Sequence, residues 1–254
     1  MLRTMNGVAA LAHFGQAVAA TAIVAKTDKN SYKWPIDFPG WLKILDSKTL
    51  GVNLGWLIPP FFLLSTVNHS VYYLSESYRN SVVETKTNPL RWIEYSLSAG
   101  LMTFILGNLS GVLELRSLLG LVLSNMAMQY IGWEIEFRKA NGATKRELIG
   151  LTIIGWVIFM SIWLQVIMSF VTVVNWDSNV KAPIIIYAIM SSLFGLFCSF
   201  GVNQILYIAD KISFQQYEMG YVVLSLAAKS VLAWEFLGGI TSGKQRFKNT
   251  DYAQ

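Results

Sequence analysis

The sequence has few charged residues: Asp, Glu, Lys and Arg make up only 14% of its 254 positions, against roughly 25% in soluble domains. Hydrophobic types make up 54%, and apolar runs of about 20 residues, the length that spans a bilayer, recur along the chain. This composition excludes an ordinary soluble domain and indicates a polytopic protein of the lipid bilayer. The net charge of +5 does not indicate a nucleic-acid partner, because the basic residues lie between the apolar runs, where they commonly flank membrane helices.

Cysteine is almost absent from the sequence. Cys198 stands alone, which excludes an intramolecular disulfide and a cysteine-based metal site. Because it lies inside an apolar run, we interpret it as a small core residue. No metal site, low-complexity segment, soluble domain or catalytic constellation is evident, so we predict that the protein is not an enzyme.

The apolar runs predict seven membrane-spanning helices in one domain over residues 1–254, an all-α seven-helix bundle. The spans lie at about 5–25, 50–76, 89–110, 115–137, 147–174, 183–209 and 214–240. The first run resembles a signal peptide, but its length of about 20 residues and its two polar residues, His13 and Gln16, favour a retained helix.

The connection between the first two spans, residues 26–49, is the one long loop. We expect it to be ordered, and a β-hairpin is one form it can take, because it is rich in turn-forming and interfacial residues: Trp34, Pro35, Pro39, Gly40 and Trp41. The tail Gly243–Gln254 is polar, and we expect it to fray.

Orientation follows from the short loops. The loops after the second and fourth predicted spans are rich in Lys and Arg, whereas the short loops on the other side hold one basic residue each, Arg116 and Lys181. Positive charge favours the cytoplasmic side. We therefore predict a cytoplasmic N-terminus and, with seven spans, an extracellular C-terminus.

Lys229 lies near the middle of the last span, in "VVLSLAAKSVLAW", residues 222–234. A charge there costs about 2.5–3.5 kcal/mol on insertion scales, so it needs a reason. One reason is structural pairing with a carboxylate; another is a desolvated amine that condenses with an aldehyde to form a Schiff base. Glu94 in "RWIEYSLSAG" is the best partner, and Arg91, one turn earlier on the same face, would help to keep Glu94 ionised.

Two histidines fall at a matched depth with these charges. Counting along the helices places His13 and His69 in the same half of the membrane as Lys229, Glu94 and Arg91. Either histidine alone could be a hydrogen-bonded packing residue, but the group together favours a water-containing polar pocket. We expect the carboxylates near span ends to be solvated, and we leave Glu235 open; the solvated set is Glu76, Glu114, Glu134, Glu136 and Glu218.

Aromatic residues recur on two later spans. Phe194, Phe197 and Phe200 repeat every three residues on the sixth span, and Trp163 lies on the fifth. They could wall a slot for a flat apolar ligand, although the spacing fits a plain core equally well.

The lysine of "SLAAK", the "RWIEYS" motif with Glu, and the two histidines together resemble the heliorhodopsins, a family of microbial rhodopsins. The resemblance covers all seven spans. It implies all-trans retinal bound to Lys229 as a protonated Schiff base, isomerised by light to the 13-cis form, with Glu94 as counterion. It implies a polar region near the Schiff base, an inverted orientation, an ordered first extracellular loop and a homodimer. The residues of that polar region would be His13, His69, Ser225, Ser98, Arg91 and Tyr95.

Departures from the pumping rhodopsins bear on function. Outward proton pumps of this superfamily carry a donor carboxylate eleven residues after the counterion, where this chain has Ile105, and a second aspartate where it has Ser225. We therefore expect a light sensor that relaxes slowly and signals to an unknown partner.

Other functions stay open. One is light-gated or passive proton conduction through His13, His69, Glu94 and Glu235; another is a retinal-free transporter with a buried Lys–Glu pair. Opsin-type coupling to a G protein, or an enzyme regulated by light or acting on lipid, are further alternatives.

Overall fold

The computed structural model describes residues 1–27, 33–37, 49–176 and 184–242. This part of the chain forms eight α-helices and one two-stranded sheet: α1 (Leu2–Thr27), β1 (Trp34–Asp37), β2 (Thr49–Val52), α2 (Ile58–Leu74), α3 (Glu76–Thr85), α4 (Pro89–Leu109), α5 (Leu115–Ala140), α6 (Lys145–Trp176), α7 (Ile184–Ile208) and α8 (Phe214–Ser242). The predictions for Pro39, Gly40, Trp41 and the tail fall outside these residues.

Within the described residues, four helices are long and apolar enough to cross a membrane by length and composition: α1, α6, α7 and α8. The other helices at predicted spans are α2, which has 17 residues, and α4 and α5, which carry more polar side chains. Four of the seven predicted spans are therefore clear membrane spans. Six of the seven predicted spans begin and end within about three residues of an observed helix.

The prediction of a single helix over residues 50–76 is wrong. Its first residues form β2 and a 3₁₀ turn, Leu54–Leu57, and α2 begins only at Ile58. Pro59 and Pro60 occupy the first turn of α2, where the missing N–H groups cost nothing. At the other end, Ser75 is extended and its side chain accepts a hydrogen bond from Tyr78 N at 3.2 Å, so α3 starts as a separate helix.

The strands β1 and β2 pair antiparallel, with Trp34 opposite Val52 and Asp37 opposite Thr49. The sheet is fastened to the turn between α4 and α5: Asp37 N donates to Leu113 O at 2.8 Å, and Asn108 Nδ2 donates to Pro35 O at 3.0 Å. The expected ordered connection thus includes a small β-sheet. We call this side of the bundle the sheet end and the opposite side, where α4 begins, the Arg91 end.

The helices form a closed ring. In order around it, α1 packs on α2, α2 on α4, α4 on α5, α5 on α6, α6 on α7, α7 on α8, and α8 on α1. The sheet-end half of the interior is a continuous apolar core that includes Ile58, Phe61, Ile105, Leu193 and Leu232. The buried charged side chains and both histidines lie instead in the half toward the Arg91 end.

The outward faces of the helices are apolar as well. Leu11, Val157, Leu164, Met168 and Val67 are each about half or more exposed. A soluble monomer rarely shows such continuous apolar surface, whereas lipid accommodates it. The surface therefore fits the membrane location expected from composition.

Candidate functional site

Lys229 is buried in the middle of α8, with only 3% of its surface exposed. Its Nζ lies 3.2 Å from Glu94 Oε1 on α4 and donates a hydrogen bond to Ser225 Oγ, one turn earlier on α8, at 2.8 Å. The ammonium also lies 5.1 Å from the centre of the Tyr95 ring. The structure thus brings together the lysine and the carboxylate that the sequence predicted as partners.

Glu94 is fixed from a third helix. Ser65 on α2 donates its hydroxyl to Glu94 Oε1 at 2.7 Å, so this oxygen receives both Ser65 and Lys229. Oε2 of Glu94 has no hydrogen-bond partner among the described residues. Ser65 is a site residue that the sequence analysis missed, because a serine in an apolar helix carries no signal without knowledge of what faces it.

The two histidines stack on one another next to this pair. The rings of His13 and His69 are parallel to within 5°, with centroids 5.5 Å apart, and both side chains are buried. His69 Nδ1 shares a hydrogen bond of 2.7 Å with Asn6 Oδ1. Within the described parts of the chain, the other ring nitrogen of His69 and both nitrogens of His13 have no partner. His13 and His69, predicted to lie at the same depth in the membrane, are therefore in direct contact with each other.

Two further residues predicted for this region also lie beside it. Ser98 is buried on α4, and its hydroxyl has no partner in the described structure. Tyr95 donates its hydroxyl to the backbone oxygen of Tyr221 at 2.9 Å. Tyr95 therefore holds α4 against α8 at the level of Lys229.

The predicted role of Arg91 beside Glu94 is wrong. Its guanidinium points away from Glu94 and forms ion pairs with Glu136 on α5 and Glu218 on α8. The physical reason is that helical side chains lean toward the N-terminus of their helix, which for Arg91 is away from the next turn. Partners on two other helices could not be inferred from the spacing within "RWIEYS".

Glu136 and Glu218 were predicted to be solvated, and this is also wrong. Their side chains are 0% and 3% exposed. Asn88 contributes two more donors, its backbone N–H to Glu136 Oε1 at 2.6 Å and its Nδ2 to Glu218 Oε2 at 2.7 Å. We refer to Asn88, Arg91, Glu136 and Glu218 as the Arg91 cluster.

The remaining carboxylates lie at the periphery. Glu76 is exposed, and Glu114 and Glu134 are partly exposed and paired with Arg116 and Arg138. Glu235, left open above, accepts a hydrogen bond of 2.9 Å from Ser192 on α7 and does not contact Lys229.

A cavity opens on the other side of Lys229. Its walls come from α4, α5, α6, α7 and α8. Lys229, Ser225 and Ser98 line one side of the cavity. Most of the remaining lining is apolar or aromatic and includes Trp92, Tyr95, Met102, Met128, Trp156, Phe159, Phe197, Phe200 and Tyr221.

Two of the four aromatic residues predicted to wall a ligand slot do line the cavity. Phe197 and Phe200 line the cavity. Trp163 and Phe194 do not: Trp163 packs on the ring of Phe194 with centroids 5.1 Å apart, and Phe194 is 37% exposed. Three residues per step is less than one helical turn, so the phenylalanines rotate out of the cavity along α7.

Comparisons with known proteins agree with this geometry. The sequence matches the heliorhodopsin family over residues 2–241. No curated protein sequence matches the chain.

Solved structures with the same fold are microbial rhodopsins. Cyanorhodopsin from Tolypothrix sp. NIES-4075 superposes with a TM-score of 0.72 at 13% identity, covering 96% of both chains. The light-driven proton pump LR (Mac) from Leptosphaeria maculans gives 0.71 at 13% identity, covering 95% of this chain and 96% of that one. The transmembrane domain of Salpingoeca rosetta rhodopsin phosphodiesterase gives 0.69 at 13%, covering 95% and 84%.

At these identities the solved structures establish a rhodopsin fold and nothing about activity. The family match extends over nearly all of the chain, and it includes every residue of the Lys229–Glu94 pair and its surroundings. This chain is an integral membrane protein that belongs to the heliorhodopsin family.

Proposed function

We propose that this protein is a light sensor that holds all-trans retinal on Lys229, with Glu94 as counterion. The observation that carries the proposal is the position of Lys229: its buried Nζ lies 3.2 Å from one carboxylate and also lines a largely apolar cavity. A buried amine with a charge partner on one side and room for an apolar ligand on the other suits covalent capture of an apolar aldehyde.

The residues present fit retinal. The cavity is lined mainly by apolar side chains and is walled by aromatic rings from four helices, a lining that suits a ligand made mostly of hydrocarbon. Ser98 Oγ, which is buried and without a partner in the described structure, supplies a polar group on the side of the cavity that holds Lys229, where the polar end of the ligand would lie. Bound retinal would supply visible absorption and a double bond that light can isomerise.

Lys229 makes the covalent link in this proposal. Its Nζ would hold the ligand through a C=N bond to the aldehyde carbon, and the aldehyde oxygen would leave as water. The nitrogen would keep one proton and a positive charge, which Glu94 is placed to balance. Ser65 stabilises the charge on Glu94 through its hydrogen bond of 2.7 Å, and Ser225 lies within hydrogen-bond distance of the nitrogen.

We further propose sensing rather than pumping. Ile105 is fully buried in the apolar core on the sheet-end side of the pair. Ser225, on the Arg91 side of Lys229, has a hydroxyl where a pump would carry a carboxylate. A proton or charge displaced from Lys229 would meet the polar groups on the Arg91 side, His13 and His69 among them. We propose that this side faces the cytoplasm and signals to a partner not yet identified.

The spectrum of the purified protein after addition of all-trans retinal tests the proposal. We expect a visible band in the wild type and none in Lys229→Ala. Lys145→Ala, which removes an exposed lysine, is the matched control and should keep the band. No band in the wild type, or a band of equal strength in Lys229→Ala, would overturn the proposal and favour a retinal-free transporter.

Light-gated proton conduction is the second candidate. The stacked His13 and His69, with three unpartnered ring nitrogens in the described structure, are groups that could pass protons. Voltage-clamped cells separate the two functions: a sensor gives no steady photocurrent, whereas a channel gives a current that reverses with voltage. Recovery of the dark spectrum within a few milliseconds of a flash would also count against slow signalling.

A further inference from the structure

We propose that the cavity takes a retinal whose ring carries a hydroxyl group, and that Gln129 binds this hydroxyl. The inference rests on the proposed function and names the ligand more closely. It comes from an amide side chain in the wall of the cavity that lies opposite Lys229.

Gln129 and Lys229 lie on helices that face each other across the cavity. Gln129 belongs to α5, which packs against α4 and α6, and Lys229 belongs to α8, which packs against α1 and α7. Both residues line the same cavity. A ligand fixed to Lys229 at one end therefore extends toward α5 with its other end.

The Arg91 cluster gives the relative depth of the two residues. Glu136 on α5 and Glu218 on α8 both bind Arg91, so they lie at one level. Gln129 is seven residues from Glu136 and Lys229 is eleven from Glu218, which at ~1.5 Å per residue places them about 10 and 16 Å from that level. With depths only about 6 Å apart, a long ligand attached to Lys229 crosses the bundle and points its far end at the level of Gln129.

Gln129 has hydrogen-bonding capacity to spare. Its neighbour Asn125, also in the cavity wall, already donates through Nδ2 to Thr103 Oγ1 at 2.9 Å. Gln129 makes one long contact, Nε2 to Asn125 Oδ1 at 3.4 Å, and its Oε1 has no protein partner in the described structure. One N–H and one carbonyl oxygen thus remain available in a wall that is mostly apolar.

A hydroxyl group matches these two free groups. It can donate its proton to Gln129 Oε1 and accept from Nε2, whereas the ring of unsubstituted retinal is all hydrocarbon and leaves both unmet. Polar groups placed in an apolar pocket are the usual source of ligand selectivity. The cavity should therefore prefer the hydroxylated ligand.

Competition for the apoprotein tests the inference. Membranes containing the apoprotein receive an equimolar mixture of all-trans-retinal and all-trans-3-hydroxyretinal, and the bound ligands are released and quantified by chromatography. We expect the wild type to be enriched about 2- to 10-fold in the hydroxylated form, the range that one neutral hydrogen bond supports. Gln129→Leu should abolish the enrichment.

Gln165→Leu is the matched control, since it makes the same substitution at an exposed glutamine of α6 that does not line the cavity, and it should keep the wild-type ratio. Equal capture by the wild type, or the same enrichment in Gln129→Leu, would overturn the inference while leaving the proposed function intact. If neither aldehyde forms a visible band with the wild type, the proposed function itself would be overturned.

Discussion

Two groups of buried charges occupy the same half of the bundle, and they are built differently. The Arg91 cluster joins α4, α5 and α8 near one end, and Lys229 pairs with Glu94 between α8 and α4 closer to the middle. Both are almost completely removed from solvent. The two groups differ in how many of their polar atoms have a hydrogen-bond partner.

In the Arg91 cluster every carboxylate oxygen has a donor. Glu136 and Glu218 each receive one N–H from Arg91 and one from Asn88. The guanidinium is also enclosed by aromatic rings, with the centre of the Tyr221 ring 4.1 Å away. Within the described residues, Arg91 Nε is the one side-chain group of the cluster without a hydrogen-bond partner, and all of its charges are paired. A buried network whose charges are all paired favours one arrangement of its helices, so we regard this cluster as structural.

The Lys229 pair is left open. Glu94 Oε2, Ser98 Oγ and three histidine nitrogens lack partners within the described structure, and a cavity begins directly beside the lysine. Unmet polar groups are costly in a low-dielectric interior, and they mark a place where a ligand, water or a moving proton can be accommodated. We therefore assign the Arg91 cluster to the fold and propose that the Lys229 pair serves the function.

Arg91→Ala should have the largest effect on stability. It leaves two buried carboxylates without their cation, a change that costs about 3–5 kcal/mol in comparable buried pairs. Chemical unfolding in detergent micelles measures it. Arg116→Ala, which breaks a surface pair at the sheet end, is the control and should change little, since exposed pairs contribute little. Equal losses in the two variants would contradict a structural role for the cluster.

Ser65→Ala should have an intermediate effect and a visible signature. It removes the hydroxyl that donates to Glu94 at 2.7 Å, a charge-assisted bond that contributes about 1.5–3 kcal/mol. The negative charge on Glu94 would then act more strongly on the nitrogen of Lys229, so the absorption of the retinal-loaded protein should move to shorter wavelength. An unchanged spectrum would show that Ser65 does not tune the counterion.

Asp210→Asn should have the smallest effect. Asp210 lies in the loop after α7 and pairs with Lys139 at 2.6 Å and Lys145 at 2.8 Å; these hydrogen bonds lower its pKa to about 2. A lowered pKa means that the stabilisation is present above the ordinary pKa near 4 and is lost as pH falls toward 2. The small difference in melting temperature between wild type and variant should therefore vanish at low pH and shrink in 1 M salt.

Asparagine is the suitable replacement at this position because it tolerates the left-handed backbone of Asp210, whose φ is 59°. A melting difference that persists unchanged at pH 2 would assign the effect to the backbone rather than to the ion pairs.

The sequence was most informative where burying a residue in an apolar span costs free energy, as it does for a charged side chain. Lys229 and Glu94 could be paired because a charge inside an apolar span needs a partner, and the depth of His13 and His69 followed from helical rise. Six helices were also predictable, since apolar runs of membrane length have few alternatives.

Features that depend on contacts between helices were not predictable. The partners of Arg91 come from α5 and α8, and nothing in "RWIEYS" says which way the guanidinium points. Glu136 and Glu218 lie near helix ends, where solvation is the ordinary outcome, and only the assembled bundle shows them buried. The start of α2 was misplaced because residues 50–57 are apolar enough to continue a helix yet form β2 and a 3₁₀ turn.

The most direct test of this division of roles compares Glu94→Gln with Glu136→Gln in the retinal-loaded protein, recording absorption and melting temperature for each. Each variant removes one buried negative charge and keeps the side-chain shape. We expect Glu94→Gln to shift the visible band to longer wavelength, and Glu136→Gln to keep the wild-type band but melt at a lower temperature. A band shift in Glu136→Gln as large as that in Glu94→Gln, or an unshifted band in Glu94→Gln, would contradict this division of roles.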